Sequence, residues 1–270
     1  MQITVAMTCY NSEKFIEEAI KSITKQSYKD WELVIVDDCS TDNSQIVIKR
    51  CIEKFKIAKK VKLITHLVNT GCGKSLLDAI AGGNGSLVAI VDSDDALANT
   101  DAFKIMIKAH EDNPKASLCY STYYSYVNNL KKVKVVRPIP KGGTYLRCLL
   151  KKGKRIRVSH LKVFKRRLYD KTEGVNPTLT RSVDKDLVLK LEEVGELKFI
   201  PKSLYFRRTH PESLTSLFHK QPIQDQWEVR RDKVKFIQDA WRRRKLRDSS
   251  KYLRLTPSKK KEFFRKNKDH

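Results

Sequence analysis

Short apolar runs alternate with helix-patterned stretches from the start of this chain, and no other feature constrains its fold as strongly. Residues 3–7 read as a buried strand. Asn11 and Ser12 then offer helix caps, and Phe15, Ile16, Ala19, Ile20 and Ile23 follow at helical spacing. Residues 31–36 (WELVIV) form a second strand pattern, and Asp42 with Gln45 is a capping signature that opens a helix through Ile46, Val47 and Ile52. A third strand is expected at 62–67, a helix at 74–81, a fully apolar fourth strand at 87–91, a helix at 102–110 and a strand at 117–127. This order predicts an α/β fold, a mostly parallel, Rossmann-like sheet flanked by helices on both faces.

Ligands of such sheets collect at the carboxyl ends of the strands. The residues directly after each strand are therefore the candidates for function. They are Thr8, Cys9, Tyr10 and Asn11; Asp37, Asp38, Cys39 and Ser40; Asn69, Thr70 and Gly71; and Asp92, Ser93, Asp94 and Asp95. The last group, in VDSDD, is the strongest local signal. Three carboxylates within four residues repel one another, and a hard divalent cation, Mn²⁺ or Mg²⁺, relieves that repulsion while bridging to a diphosphate. The bland alternative is an acidic loop in which Asp94 or Asp95 caps the next helix. In VDDCSTD, Asp42 fits a turn and cap, whereas Asp38, at the strand end, fits an acceptor for base or ribose hydrogen bonds.

These pieces come in a particular order: MTCYNSEKFIEEAIKSITKQSYKDWELVIVDDCSTDNS, then NTG, VDSDDAL, VDKDLVLKLEEVG and LYFRRTHPESLT. Together they resemble the family 2 glycosyltransferases of the GT-A fold over approximately residues 3–216. The resemblance implies that Thr8, Tyr10 and Asp38 hold the nucleoside, commonly uridine, of a nucleotide-sugar donor. It implies that Asp92 and Asp94 form the D-x-D pair on ribose and metal–diphosphate, with Asp95 beside them. Asp184 matches the catalytic base, and Arg208 and His210 match a segment near the diphosphate, His210 contacting phosphate or completing the metal shell. Direct attack would invert the anomeric carbon. Two departures stand out. Val183 replaces the glutamate before the base, and Ser75-Leu76-Leu77 replaces a segment with a basic donor contact, leaving Lys74 as the substitute. For Asp184 the bland alternative is a helix cap or an ion pair with Lys185 or Arg181. His160, ahead of the strand-like residues 161–164, lines the acceptor site or simply packs.

Gly73-Lys74-Ser75 looks like the end of a phosphate-binding loop, but the first glycine that loop requires is Val68 here, which disfavours a P-loop kinase or ATPase. A formal net charge of +25 points to an anionic partner. Residues 219–270 form a candidate second region, a basic amphipathic helical tail. From 220 onward it carries 18 Lys and Arg against 7 Asp and Glu, and Trp227, Val234, Ile237 and Trp241 share a helical face. The expected boundary puts the catalytic region at 1–218. The tail would dock on an anionic membrane or an acidic polymer, with packing on the catalytic region as the alternative.

Residues 131–167 are basic and broken by Pro138, Pro140 and Gly142-Gly143, a pattern of loops and short strands. Six cysteines without a C-x-x-C pair predict reduced, buried thiols, and an N-terminus without a basic leader predicts a cytoplasmic protein, peripheral on the inner face of a membrane where the tail docks. The acceptor is expected to be a glycan, a lipid-linked sugar or a polymer. The competing functions are a non-catalytic sugar-nucleotide sensor and a basic nucleic-acid-binding protein, the latter disfavoured because no zinc-finger or RNP-type pattern is present.

Overall fold

The computed structural model describes residues 1–127, 130–134, 139, 143–150, 158–211, 213 and 236–244. The chain divides into two compact units, Met1–Ser213 and Leu214–His270. In the second unit, residues 236–244 are helical, with Phe236, Ile237 and Ala240 buried and Arg242 exposed. Trp227 and Val234 of the expected tail lie outside the described residues. Among the described residues no helix is long and apolar enough to cross a membrane.

The first unit is built on a nine-stranded sheet. In chain order its elements are β1 (Ile3–Cys9), α1 (Ile16–Thr24), β2 (Trp31–Asp37), α2 (Ser44–Lys54), β3 (Val61–Thr65), α3 (Cys72–Ala81), β4 (Leu87–Ile90), β5 (Ala96–Leu97) and α4 (Ala102–Asp112). There follow β6 (Ala116–Val127), β7 (Leu130–Lys134), α5 (Tyr145–Leu150), β8 (Lys162–Lys165), α6 (Arg166–Tyr169), α7 (Val183–Glu192) and β9 (Glu196–Arg207). The strands lie in the order β3-β2-β1-β4-β8-β6-β9-β5, with β7 paired to β6. β3, β2, β1 and β4 are mutually parallel. β8 runs antiparallel between β4 and β6, β9 is parallel to β6, and β5 is antiparallel to β9.

The apolar pattern explains the layering. β4 is buried along its whole length, as a central strand covered on both faces must be, and its residues are all aliphatic. α1 buries Ile16, Ala19, Ile20 and Ile23, the stripe expected from their spacing. Each of its isoleucines contributes about 1.5–3 kcal/mol on leaving water. α3 packs on β1 and β2, while α4 and α7 pack on β6.

Several local details differ from the sequence reading. Asn11 and Ser12 do not cap α1 with their side chains. Phe15 holds the cap position, and the Ser12 carbonyl accepts from the Phe15 and Ile16 amides. Asp42 accepts from the Ser44 amide at the start of α2, but Gln45 closes no capping box, because its amide reaches the strand-end carboxylate of Asp37 at 2.8 Å. β4 stops one residue short of Val91. Cys9, Cys51 and Cys119 are buried and free, and burial pushes the Cys9 thiol up to about 11 and the Cys119 thiol to about 12.

Candidate active site

The carboxyl ends of β1, β2 and β4 are aligned by register, with Cys9 opposite Asp37 and Ala6 opposite Ile90. The loops that leave them are therefore neighbours. Asn11 accepts from the Thr41 amide, and the Ser12 hydroxyl meets that of Ser93 at 2.8 Å, so the first loop is tied to both the second and the acidic one. Thr8 and the half-exposed Tyr10 stand at this edge.

Asp38 is buried at the centre of the second loop. Its Oδ1 accepts from His66 Nδ1 at 2.7 Å and from the Thr70 amide and hydroxyl, each at 2.8 Å. Its Oδ2 accepts from the Gly71 amide at 2.8 Å. Burial works to raise this carboxyl, but the bonds from His66, Thr70 and Gly71 outweigh it and hold it below its ordinary value. Asp38 thus organises the loop after β3. Gly71 sits at φ 87°, a conformation that favours glycine. The Lys74 ammonium pairs with Asp78, which in turn meets His66 Nε2 at 3.0 Å.

Asp92, Asp94 and Asp95 each place a carboxylate oxygen within 4.8 Å of the others. The pairing of β5 with β9, Ala96 opposite Phe206 and Leu97 opposite Tyr205, brings the end of β9 against this turn. Tyr205 is fully buried and its hydroxyl accepts from the Asp92 amide at 3.0 Å. The Arg208 amide donates to Asp95 Oδ1 at 2.7 Å and its Nε to the Asp94 carbonyl at 3.0 Å. The Arg208 guanidinium reaches Glu18 and lies over the Phe15 ring. His210 Nε2 is 3.0 Å from Asp94 Oδ2.

The electrostatics fit a hard cation. Burial, then repulsion from Asp94, pushes the Asp92 carboxyl up to about 7, although 41% of its side chain still meets solvent. Burial, then Asp94 and Asp92, raises Asp95 well above the carboxylate range. A divalent ion would remove this repulsion, and Asp92, Asp94, Asp95 and His210 supply the oxygen and imidazole donors that Mn²⁺ or Mg²⁺ accepts.

The second half of the site comes from β8 and α7. Because β8 is antiparallel to β4, its first residue, Lys162, lies opposite Ile90, near the carboxyl end of β4. Lys162 is buried, and its ammonium is 3.1 Å from Asp184 Oδ2 and 3.3 Å from His160 Nε2. His160 stacks on Tyr205 and sits 3.6 Å from Asp92 Oδ2. Burial, then Lys162, pushes the His160 imidazole well below its ordinary value. Asp184 lies in the first turn of α7, one residue after Val183, with Ser182 at the cap. It forms an ion pair with Lys162, from a distant strand. Burial works to raise the Asp184 carboxyl, but Lys162, then Lys185 and His160, hold it well below the usual range.

The structure therefore brings together Asp92, Asp94, Asp95, Arg208 and His210, and links Asp184 to them through His160 and Lys162. Lys162 and Tyr205 were missed by sequence reasoning. The available signal was a lysine and a tyrosine each set inside an otherwise apolar strand pattern.

The pattern of the family described as Glycosyl transferase family 2 matches residues 4–172. Among curated relatives, the chain is 28% identical over 213 residues to chondroitin synthase of Escherichia coli, covering 78% of this chain and 29% of that one. It spans about a third of the length of the first curated relatives it matches. Among solved structures it is similar to residues 1–349 of Staphylococcus aureus TarS in complex with UDP-GlcNAc, with a TM-score of 0.65 and 24% identity over 80% of this chain and 61% of that one. It is also similar to the mannosyltransferase PcManGT of Pyrobaculum calidifontis in complex with GDP-Man and Mn²⁺, with a TM-score of 0.61 and 20% identity over 80% of this chain and 59% of that one.

Proposed function

The chain belongs to glycosyl transferase family 2, and from that premise we propose that it is an inverting, metal-dependent glycosyltransferase using a nucleoside diphosphate sugar. One observation carries this reading. An acidic cluster suited to a cation and a diphosphate lies near a separate carboxylate, Asp184, with His160 and Lys162 between the two. UDP is the favoured nucleotide, from the motif resemblance and from the UDP-GlcNAc complex of TarS. The acceptor is a hydroxyl of a glycan or cell-surface polymer, in keeping with the polysaccharide-making relative.

In the transfer, the acceptor oxygen bonds to the anomeric carbon while the bond from that carbon to the diphosphate oxygen breaks. The electron pair leaves with the nucleoside diphosphate. Asp184 takes the acceptor proton, which a weak oxygen nucleophile must lose as it attacks. The neighbouring Lys162 ammonium, which lowers its pKa, keeps it ionised and able to accept that proton. Asp92, Asp94, Asp95 and His210 would hold Mn²⁺ or Mg²⁺, which when bound neutralises the charge developing on the leaving diphosphate. Arg208 fixes the acidic turn against β9 through its amide and Nε.

The test is a panel of nucleotide sugars with Mn²⁺, following nucleoside diphosphate release. Metal-dependent release from one donor, with a loss of about 10²–10⁴-fold in Asp184→Asn, is the expected result. Nucleotide binding without release, with acceptors supplied, would make the chain a sensor instead. No binding by calorimetry to any nucleotide would overturn the reading.

A further inference from the structure

We propose that Lys162 is a positioning residue for the transfer step, its buried ammonium holding the Asp184 carboxylate from behind. The inference rests on the proposed transferase activity and goes beyond it, because neither the motifs nor the family pattern assigns a role to this lysine.

Lys162 opens β8 between two core strands, opposite Ile90 on β4 and Tyr120 on β6, and only 1% of it is exposed. A strand residue in that register is ordinarily apolar, as Val163 and Phe164 beside it are, and burying an ammonium is costly unless it is paired. Its anionic partner is not buried in the same way. The Asp184 side chain is 40% exposed, against 2% for that of Lys162. An ion pair serving the core alone would bury both members, as Lys190 and Asp186 do at 5% and 3%. Here the cation is sunk in the sheet and the carboxylate is open to solvent.

Geometry then assigns the oxygens. Asp184 Oδ2 accepts from Lys162 Nζ at 3.1 Å, so Oδ1 is the oxygen left to receive a proton from an acceptor. The same ammonium reaches His160 Nε2 at 3.3 Å, and that nitrogen lies 3.6 Å from Asp92 Oδ2. His160 and Lys162 thus lie between Asp92 and Asp184. Stacking on Tyr205, whose hydroxyl holds the Asp92 amide, braces the His160 ring. Besides Lys162 and His160, the charged or titratable groups that act on Asp184 are Lys185 on α7, Asp92 after β4 and Cys72 on α3.

The experiment compares full-length wild type with Lys162→Met, Asp184→Asn and the double variant, using the nucleotide sugar that the wild type cleaves in the donor panel with Mn²⁺. Methionine keeps the length of the buried side chain and leaves a solvated carboxylate, so the fold should survive. Lys162→Gln carries the same comparison should Lys162→Met lose its cooperative melt. The expected result is a fall in kcat of up to about a hundredfold, the scale of a misaimed catalytic group, with the donor KM unchanged. The acid limb of the kcat profile should move to higher pH, because loss of the ammonium lets the Asp184 carboxyl rise. In the Asp184→Asn background the lysine change should add almost nothing. An undiminished kcat in Lys162→Met overturns the inference and leaves the transferase reading intact. An equal loss with and without Asp184 also overturns it, since that pattern belongs to a general packing defect. A wild type silent on every donor, with acceptors supplied, overturns the transferase reading and this inference with it.

Discussion

The two halves of the sheet contribute to the candidate site by different means. In the parallel half, β3-β2-β1-β4, each strand simply ends in a polar loop, and the loops become neighbours because the strand ends are in register. In the mixed half, β8-β6-β9-β5, the functional groups sit inside strands or at a helix start. They include Lys162, Tyr205 and Asp184, and the first two reach the site because β8 and β5 run against their neighbours. On the proposed reading the parallel half supplies the acidic cluster for the donor, and the mixed half supplies Lys162 and Asp184 for the acceptor proton, with Tyr205, Arg208 and His210 holding the cluster from its side. A fold divided in this way separates donor binding from the transfer step, and that separation can be tested.

The largest expected effect breaks the comparison most directly. Asp94→Asn should lose turnover by about a thousandfold together with Mn²⁺-dependent nucleotide binding, because the diphosphate charge goes uncompensated. Asp184→Asn should lose a similar factor of turnover and keep nucleotide affinity. Calorimetry on both variants decides it. Loss of nucleotide binding in Asp184→Asn would mean that the halves are not divided by task.

His110 sharpens the comparison from the stability side. It is buried on α4, its Nε2–H donates to the Val163 carbonyl of β8 at 3.0 Å, and burial pushes its imidazole down to about 4. The unfolded chain protonates near 6.5, so between about 6.5 and 4 it binds the extra proton. Stability is therefore fully present above 6.5 and is lost as pH falls toward 4, by roughly 3 kcal/mol. Denaturant melts of His110→Gln should show a flatter acid decline over that window than the wild type.

A smaller effect is expected at the seam between the halves. A Cβ on Gly73, at the start of α3, would come within 2.5 Å of the Leu179 carbonyl and 2.6 Å of the Asn176 carbonyl, both backbone atoms leading to α7. Gly73→Ala should cost about 1–3 kcal/mol and shift the segment that carries Asp184. Turnover should fall more than nucleotide affinity does, and equal losses would count against the seam.

Much of the parallel half was legible in the sequence. Residues at a strand's end can be recognised from the apolar run before them, and Asp92, Asp94 and Asp95 stood out for that reason. Asp184 was found by resemblance, and its partner was sought among sequence neighbours, which is as far as helical spacing reaches. The role of Asp38 was legible only in outline. Its strand-end position was plain, but its four bonds to His66, Thr70 and Gly71 depend on how a loop some thirty residues later folds back.

The sequence by itself determined the strand–helix alternation, the family and the acidic cluster, because periodicity and motif spacing are properties of a local stretch of chain. Only the tertiary structure decided that Lys162 lies behind Asp184, that Tyr205 holds the Asp92 amide across 113 positions, and that Arg208 fixes Asp95. These contacts depend on the direction and register of strands far apart in the chain. Register is settled by which faces pack together when the core closes, not by any pattern within one strand.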